Sequence, residues 1–363
     1  MFNHQLFLLN PSTTTLINQS LFSKSMNVLE VKNLVKEYSQ PRKKTEWFRH
    51  LFDYHESKQN PKDLVGRLYK TKTGVFNAVD DISFQVKKGE IFGLLGVNGA
   101  GKSTTINILT GLLRPTSGTI TMFGKDFFKH EEECKQRFNV ATAYYNLSQN
   151  LTISQNLKVY ALLYNVQDSQ KKIDQLCSHF SLTNLYNTKL LLLSSGERTR
   201  VAIVKALLSD PELLFLDECT VGLDPDMAEI TRTMIENYHK KTNCTIIFTS
   251  HYMQEVEKLC DRVAFVDKGK IVKVGKPKDL IAELKVQRVH LTISKNQTAA
   301  RNFLKKEKII FEEKNNQFIF SIENRANVMY PLFQKLIQHN LVFDDLILEK
   351  PTLEEYFLTR SRT

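Results

Sequence analysis

A chain of 363 residues that is 42% hydrophobic, with only 14 glycines and 9 prolines, can bury a sizeable core in one large domain plus something smaller, which excludes a disordered protein. Its 50 Lys and Arg against 39 Asp and Glu leave a formal net charge of +11, pointing to an acidic partner: a nucleotide, a nucleic acid or an anionic lipid surface. The five cysteines (Cys134, Cys177, Cys219, Cys244, Cys260) form no C-x-x-C pair and no zinc spacing, and no apolar run approaches the ~20 residues of a membrane-spanning helix, so reduced thiols and service to a membrane from outside the bilayer are expected.

Residues 1 to about 25 are rich in Ser, Thr and Asn and contain no Asp or Glu. They read as a disordered extension, taken as 1–27. A transit peptide shares the lack of acids but would carry arginine, and Met26 offers a second start. From Val28 the pattern changes to short alternating segments, VLEVKNL, ISFQVKKGE and GTITMFGKD, which predict antiparallel strands. Between the first two lies a basic insertion, 39–75, with nine Lys and Arg against four Asp and Glu. Its Trp47, Phe48, Leu51 and Phe52 share one helical face, so a short basic amphipathic helix is predicted there, packed on its own domain or touching a membrane or partner.

Residues 91 to 105, IFGLLGVNGAGKSTT, run an apolar strand into a glycine-rich turn and then a helix. Gly96, Gly101, Lys102 and Ser103 fill the fixed places of G-x-x-x-x-G-K-[ST]. Glycines there let backbone N–H groups turn inward around anionic oxygens, and the helix start aims its positive end at the same point. Lys102 is expected to reach the β and γ phosphates and Ser103 to hold magnesium. The spacing of Ile106, Leu109, Leu112 and Leu113 predicts a helix that Pro115 stops.

Residues 129–209 read as mostly helical, with apolar residues recurring at three and four in LKVYALLY, IDQLCSHF and VAIVKALL. Two buried-strand runs follow, LLFLDE and TIIFTSH, separated by a helix from Met227 to Lys240, and VAFVDKGKIVKV predicts a hairpin turning at Asp267 to Gly269. The last segment, 286–363, reads strand-helix-strand-strand-helix-strand in VHLTIS, AARNFLKK, KIIFEE, QFIFSI, NVMYPLFQKLIQ and LVFDDLILE, a ferredoxin-like split βαβ accessory domain.

Ligands of α/β sheets bind at the carboxyl ends of the strands, and three apolar runs here end in polar residues suited to nucleotide chemistry. Asp217 after LLFL can hold a magnesium-bound water, and Glu218 can orient or deprotonate an attacking water. His251, after TIIFTS, is placed to hydrogen-bond a γ phosphate. Ser194 and Glu197 in LSSGER form a capping box at a helix start.

GVNGAGKST, LSSGER, LLFLDE, GLD and TSH, in this order, resemble the Walker A, signature, Walker B, D-loop and switch histidine of ABC transporter ATP-binding subunits. The resemblance covers about residues 28–285, and TGLLRPTSGTI with the closing LEEYFL is similar to the exporters of drugs, polysaccharides and lipids. It implies an α/β P-loop NTPase with an antiparallel β subdomain, a helical subdomain and a small α+β C-terminal domain. It also implies ATP and Mg2+ as ligands, bound by Gly96, Val97, Asn98, Gly99, Ala100, Gly101, Lys102, Ser103 and Thr104, with Ser103 and Asp217 on the metal. Glu218 and His251 would be catalytic, and Asp224 the D-loop acid. Ser194, Ser195 and Gly196 would act on the site of a second copy or a paralogous subunit. Tyr38 would stack on adenine, with Phe76 as a rival because the insertion intervenes. Such a subunit hydrolyses ATP at the cytoplasmic face of a membrane and drives export through separate transmembrane permease subunits.

Some positions depart from the family pattern. Ser195 and Glu197 replace a glycine and a glutamine of the signature, Cys219 stands in place of a proline, and the Q-loop glutamine falls at Ala143 or Tyr144. A soluble ABC ATPase acting on ribosomes or nucleic acid is the alternative, permitted by the charge. It is not preferred, because the chain has one Walker A and no sustained heptads. A regulatory module of low turnover is disfavoured by the intact Asp217 and Glu218.

Overall fold

The computed structural model describes residues 27–39, 75–142, 147–284, 286–293, 295–323, 326–339 and 341–361. The N-terminal extension as far as residue 26, the amphipathic helix predicted around Trp47, and Ala143 and Tyr144 lie outside the described residues. Contacts divide the chain into two units: residues up to His251 with Val266–Ile271, and Tyr252–Phe265 with Val272–Thr363.

In the first unit, β1 (Asn27–Ser39), β2 (Val75–Lys87), β4 (Ser117–Met122) and β5 (Lys125–Asp126) form an antiparallel sheet in the order β2-β1-β4-β5. Ile82, Phe84 and Val86 are buried and their neighbours exposed, the alternation expected of a strand with one face on the core. In a second, six-stranded sheet, β3 (Ile91–Leu95), β8 (Thr245–Ser250), β7 (Leu213–Asp217) and β6 (Phe138–Thr142) follow one another as parallel neighbours. Its β3 and β8 are buried at every residue, as strands covered on both faces must be. β6 falls inside the stretch that the sequence marks as mostly helical. FNVAT is too short to show a period, and it is a strand because it pairs with β7 from Phe138–Leu213 to Thr142–Asp217.

The helix after β3, α1 (Lys102–Leu109), is shorter than the spacing of Leu112 and Leu113 suggests. The Thr110 hydroxyl donates back to the Ile106 carbonyl (2.9 Å), and Gly111, at φ +75°, turns the chain out of the helix, so that Leu112 is 67% exposed. The helical part comprises α2 (Glu131–Lys135), α3 (Ile153–Leu163), α4 (Ser169–His179) and α5 (Ser195–Leu207). Buried Asn156 on α3 accepts from the Ser148 amide and donates to the Ser148 and Thr152 carbonyls, fixing the entry to α3. α6 (Pro225–Thr242) connects β7 to β8.

The second unit contains α7 (Met253–Leu259) and α8 (Pro277–Ala282). The hairpin of β9 (Arg262–Asp267) and β10 (Lys270–Gly275) has its turn in the first unit and its outer ends in the second. The turn is two residues, Lys268 and Gly269, both at positive φ.

The rest of the second unit is β11 (Val286–Thr292), α9 (Gln297–Lys306), β12 (Phe311–Lys314), β13 (Gln317–Glu323), α10 (Ala326–Gln338), β14 (Asp345–Glu349) and α11 (Leu353–Ser361). The sheet order is β12-β13-β11-β14 with antiparallel neighbours, so α9 and α10 each join two parallel strands across one intervening strand. β12 starts three residues later than KIIFEE suggests. Lys308 is left-handed, and Ile310 is 93% exposed. Val289, Leu291, Phe303, Phe318, Phe320 and Leu336 form the core. The closing α11 packs Tyr356 and Phe357 on Phe265, and the Tyr356 hydroxyl donates to Glu283 (2.9 Å).

Phe318 is fully buried in that core, and Phe318→Ala is expected to cost about 3–5 kcal/mol there. Hydrogen exchange of the full chain checks this: protection across residues 286–361 should fall, and protection equal to wild type would show that this ring does not hold the core.

Candidate active site

β3 ends at Leu95, and the loop 96–101 carries the chain to the start of α1. The glycines are needed for space as well as for conformation. A Cβ on Gly96 would lie 2.3 Å from the Val266 carbonyl oxygen, and one on Gly101, at φ +109°, would lie 2.4 Å from that of Ala78. The hairpin turn braces the loop from behind: the Gly269 amide donates to the Ala100 carbonyl (2.9 Å) and the Asp80 amide to the Gly269 carbonyl (2.8 Å). Val97, Asn98 and Gly99 are exposed, and the N-cap of α1 is Gly101, so no side chain caps the first N–H groups of the helix. Such a start is suited to an anion.

Lys102 is only 4% exposed. Its Nζ donates to the carbonyls of Gly96 (2.7 Å) and Val97 (3.3 Å) and lies 3.8 Å from Glu218 Oε1. Burial holds the ammonium below the usual lysine range, opposed by the negative charges of Glu218 and Asp217. An ammonium has three donors, so two carbonyls leave one for a phosphate.

The acids stand at the end of β7. Burial pushes the Asp217 carboxyl up, and the hydrogen bond from the Thr249 hydroxyl to Asp217 Oδ1 (2.6 Å) opposes it. Glu218 leaves the strand at φ +51°, its amide donating to Thr249 Oγ1 (3.0 Å) and, more loosely, to the Thr249 carbonyl (3.3 Å). His251 Nδ1 lies 3.7 Å from the same Glu218 Oε1 that faces Lys102. The ends of three adjacent parallel strands, β3, β8 and β7, thus bring Lys102, Glu218 and His251 together. Thr249 is the member that sequence reasoning misses. In TIIFTS it reads as a strand former, and only the register opposite Asp217 gives its hydroxyl a role.

Ser103 is exposed in the first turn of α1, with Thr104 half-buried beside it. Among the described residues no three His, Cys, Asp or Glu side chains cluster as a metal site. The Ser103 hydroxyl and the Asp217 carboxylate are hard oxygen donors, which suits magnesium, an ion that takes one or two protein oxygens and shares the rest with phosphates and water. The rivals Tyr38 and Phe76 are paired across β1 and β2, their rings stacked at 5.5 Å and 20°. Phe76 is two residues from Ala78, whose carbonyl abuts Gly101.

Ser194 caps α5 in a full capping box. Its amide donates to Glu197 Oε2 (2.8 Å), and its hydroxyl accepts from the Glu197 amide (3.3 Å). Ser195 is exposed and Gly196 buried. Asp224 caps α6, its Oδ1 accepting from the Met227 amide (3.0 Å). Each of these two helix starts therefore has a structural reason for its side chain.

Comparison with known proteins adds an independent line. The family described as ABC transporter matches residues 79–221. The linearmycin resistance ATP-binding protein LnrL of Bacillus subtilis (strain 168) is 33% identical over 301 residues, covering 81% of this chain and 95% of that protein. The bacitracin transport ATP-binding protein BcrA of Bacillus licheniformis is 39% identical over 201 residues, 55% of this chain and 65% of that one. Among solved structures, cbiO1 from Clostridium perfringens, part of the ABC transporter complex cbiONQ, aligns with a TM-score of 0.56 at 23% identity, over 78% of this chain and 96% of that chain. Among the described residues no helix is long and apolar enough to cross a membrane. With the phosphate loop, the paired acids and a relative matched over nearly its whole length, the chain belongs to the ATP-binding subunits of the ABC transporters, a family of ATPases.

Proposed function

We propose that this chain, paired with a second ATP-binding subunit, hydrolyses ATP through Glu218 and uses the cycle to drive export through separate membrane subunits. The observation that carries the chemistry is the Glu218 carboxylate, 3.8 Å from Lys102 Nζ and 3.7 Å from His251 Nδ1. The amides of Gly96, Val97, Asn98, Gly99, Ala100 and Gly101, with Lys102 and Thr104, hold the phosphates. Ser103 and Asp217 would hold magnesium, which would neutralise phosphate charge. Glu218 takes the proton of the attacking water, and His251 holds Glu218 and the γ phosphate in line. The Tyr38 and Phe76 stack offers adenine a flat aromatic platform.

Ser194, Ser195 and Gly196 serve the site of the partner subunit, and Asp224 lines the same interface. The names of two relatives, one for linearmycin resistance and one for bacitracin transport, support export as the direction. On this reading the subunit works at the cytoplasmic face, held there by its membrane partners.

Glu218→Gln should keep ATP binding and lower turnover by about 10² to 10⁴-fold, because the amide preserves shape and cannot accept the proton. Phosphate release from the purified variant at near wild-type rate would remove Glu218 from the mechanism.

The shared site makes a separate demand. Lys102→Ala and Ser194→Arg chains should each be inactive alone, and mixing them should restore activity, because a mixed pair sets intact Lys102 opposite intact Ser194 at one interface. With random exchange and independent sites, half the pairs are mixed and each has one good site, so recovery should reach roughly a quarter of wild type. No recovery, with a wild-type protein that stays monomeric during turnover, would mean that each site is built within one chain.

A further inference from the structure

We infer that Thr249 is a positioning residue for hydrolysis, its hydroxyl setting the two acids of the site relative to each other. This rests on the reading of Glu218 as the base. Asp217 and Thr249 are partners in the parallel register of β7 and β8, at the point where β7 ends. The next residue, Glu218, leaves the ladder in the left-handed region, φ +51°, which a residue with a Cβ adopts only when its surroundings impose it.

Thr249 supplies such a constraint. Its Oγ1 accepts the Glu218 amide at 3.0 Å and donates to Asp217 Oδ1 at 2.6 Å. A hydroxyl has one proton and two lone pairs, so both bonds form at once. The side chain is 0% exposed, and water has no access to replace it.

The consequence falls on the Glu218 side chain. Its direction follows from the backbone turn at its own Cα, and that turn puts Oε1 3.8 Å from Lys102 Nζ and 3.7 Å from His251 Nδ1. A valine at 249 would keep the volume and the strand preference of the buried run while removing the oxygen. The Glu218 amide would then retain only the looser 3.3 Å contact with the Thr249 carbonyl, and the buried Asp217 Oδ1 would lose its donor. Nothing in the packing of β8 requires an oxygen at this position, since the run TIIF before it is filled by apolar side chains after Thr245. The hydroxyl is explained by the two acids.

The test compares Thr249→Val, Thr249→Ser, Glu218→Gln and the double variant Thr249→Val/Glu218→Gln in the full chain, with ATP turnover and the binding of a fluorescent ATP analogue as readouts. Thr249→Val should lower kcat about tenfold, the effect of losing one well-placed hydrogen bond, while KM and analogue affinity stay within about twofold. Thr249→Ser, which keeps the oxygen, should retain most of the turnover. On the Glu218→Gln background, with residual rates measured over long incubations, Thr249→Val should cause a clearly smaller loss than on the wild-type background, because the part of its effect that passes through the Glu218 carboxylate is already removed and only the part at Asp217 is left. Should the valine chain not fold, Thr249→Ala makes the same comparison with serine. Serine as damaging as valine, or losses that multiply in the double variant, would overturn the inference. So would wild-type turnover in Thr249→Val beside an inactive Glu218→Gln. An active Glu218→Gln would instead overturn the base assignment on which the inference rests.

Discussion

A lysine ammonium taken out of water must be surrounded by acceptors, since an unpaired ion in a protein interior costs several kcal/mol. Lys102 meets that condition with two carbonyls of its own loop and with the charges of Asp217 and Glu218. The two acids come from a distant part of the chain, so the condition is also a demand on the fold. β3, β8 and β7 must lie side by side in parallel with their carboxyl ends level, as the registers Leu95–Ser250 and Asp217–Thr249 make them. Strands buried on both faces give those ends little freedom. The same crowding dictates the glycines, because the carbonyls of Val266 and Ala78 occupy the space that a side chain at 96 or 101 would need.

This distinguishes what could be read in the sequence from what could not. GVNGAGKST and LLFLDE were legible because their chemistry is local: a loop that wraps an anion needs glycines at fixed intervals, and a buried strand that ends in two acids announces a polar edge. The hydroxyl of Thr249 was not legible. Its two partners are more than thirty residues away, and its position in TIIFTS fits a β-branched strand former equally well. The left-handed Glu218 was hidden for the same reason. Tyr38 and Phe76, alternatives in the sequence, became a stacked pair once the β1 and β2 register was known.

The second unit shows the same limit in another form. The order of its strands and helices follows from the alternation of VHLTIS and QFIFSI against the helical spacing of NVMYPLFQKLIQ, and the sheet order β12-β13-β11-β14 fits that order. Element ends are less legible. LVFDDLILE reads as one strand segment in the sequence, yet β14 begins only at Asp345, where pairing with β11 begins at Thr292. Hydrophobic period marks where a strand can be. The neighbouring strand decides where it starts.

The signature helix shows which constraints are internal to one chain and which are not. Gly196 is buried, and a Cβ there would come within 3.1 Å of the terminal methyl of Met227, a contact that a shift of a few tenths of an ångström in that flexible side chain relieves. Ser195, which replaces the other glycine of the family pattern, is exposed, and a side chain there is tolerated by the folded chain. Glu197 in place of glutamine keeps both capping bonds, and its carboxylate sits at the positive end of α5, where a negative charge is favoured by about 0.3–1 kcal/mol at an exposed site. Two cations accompany it: Arg198 is tied to the Leu191 carbonyl (2.9 Å) and Arg200 to that of Phe180 (3.1 Å). Fold stability therefore accounts for Glu197 and the Ser194 cap, and gives no comparable reason inside the chain for the residues at 195 and 196.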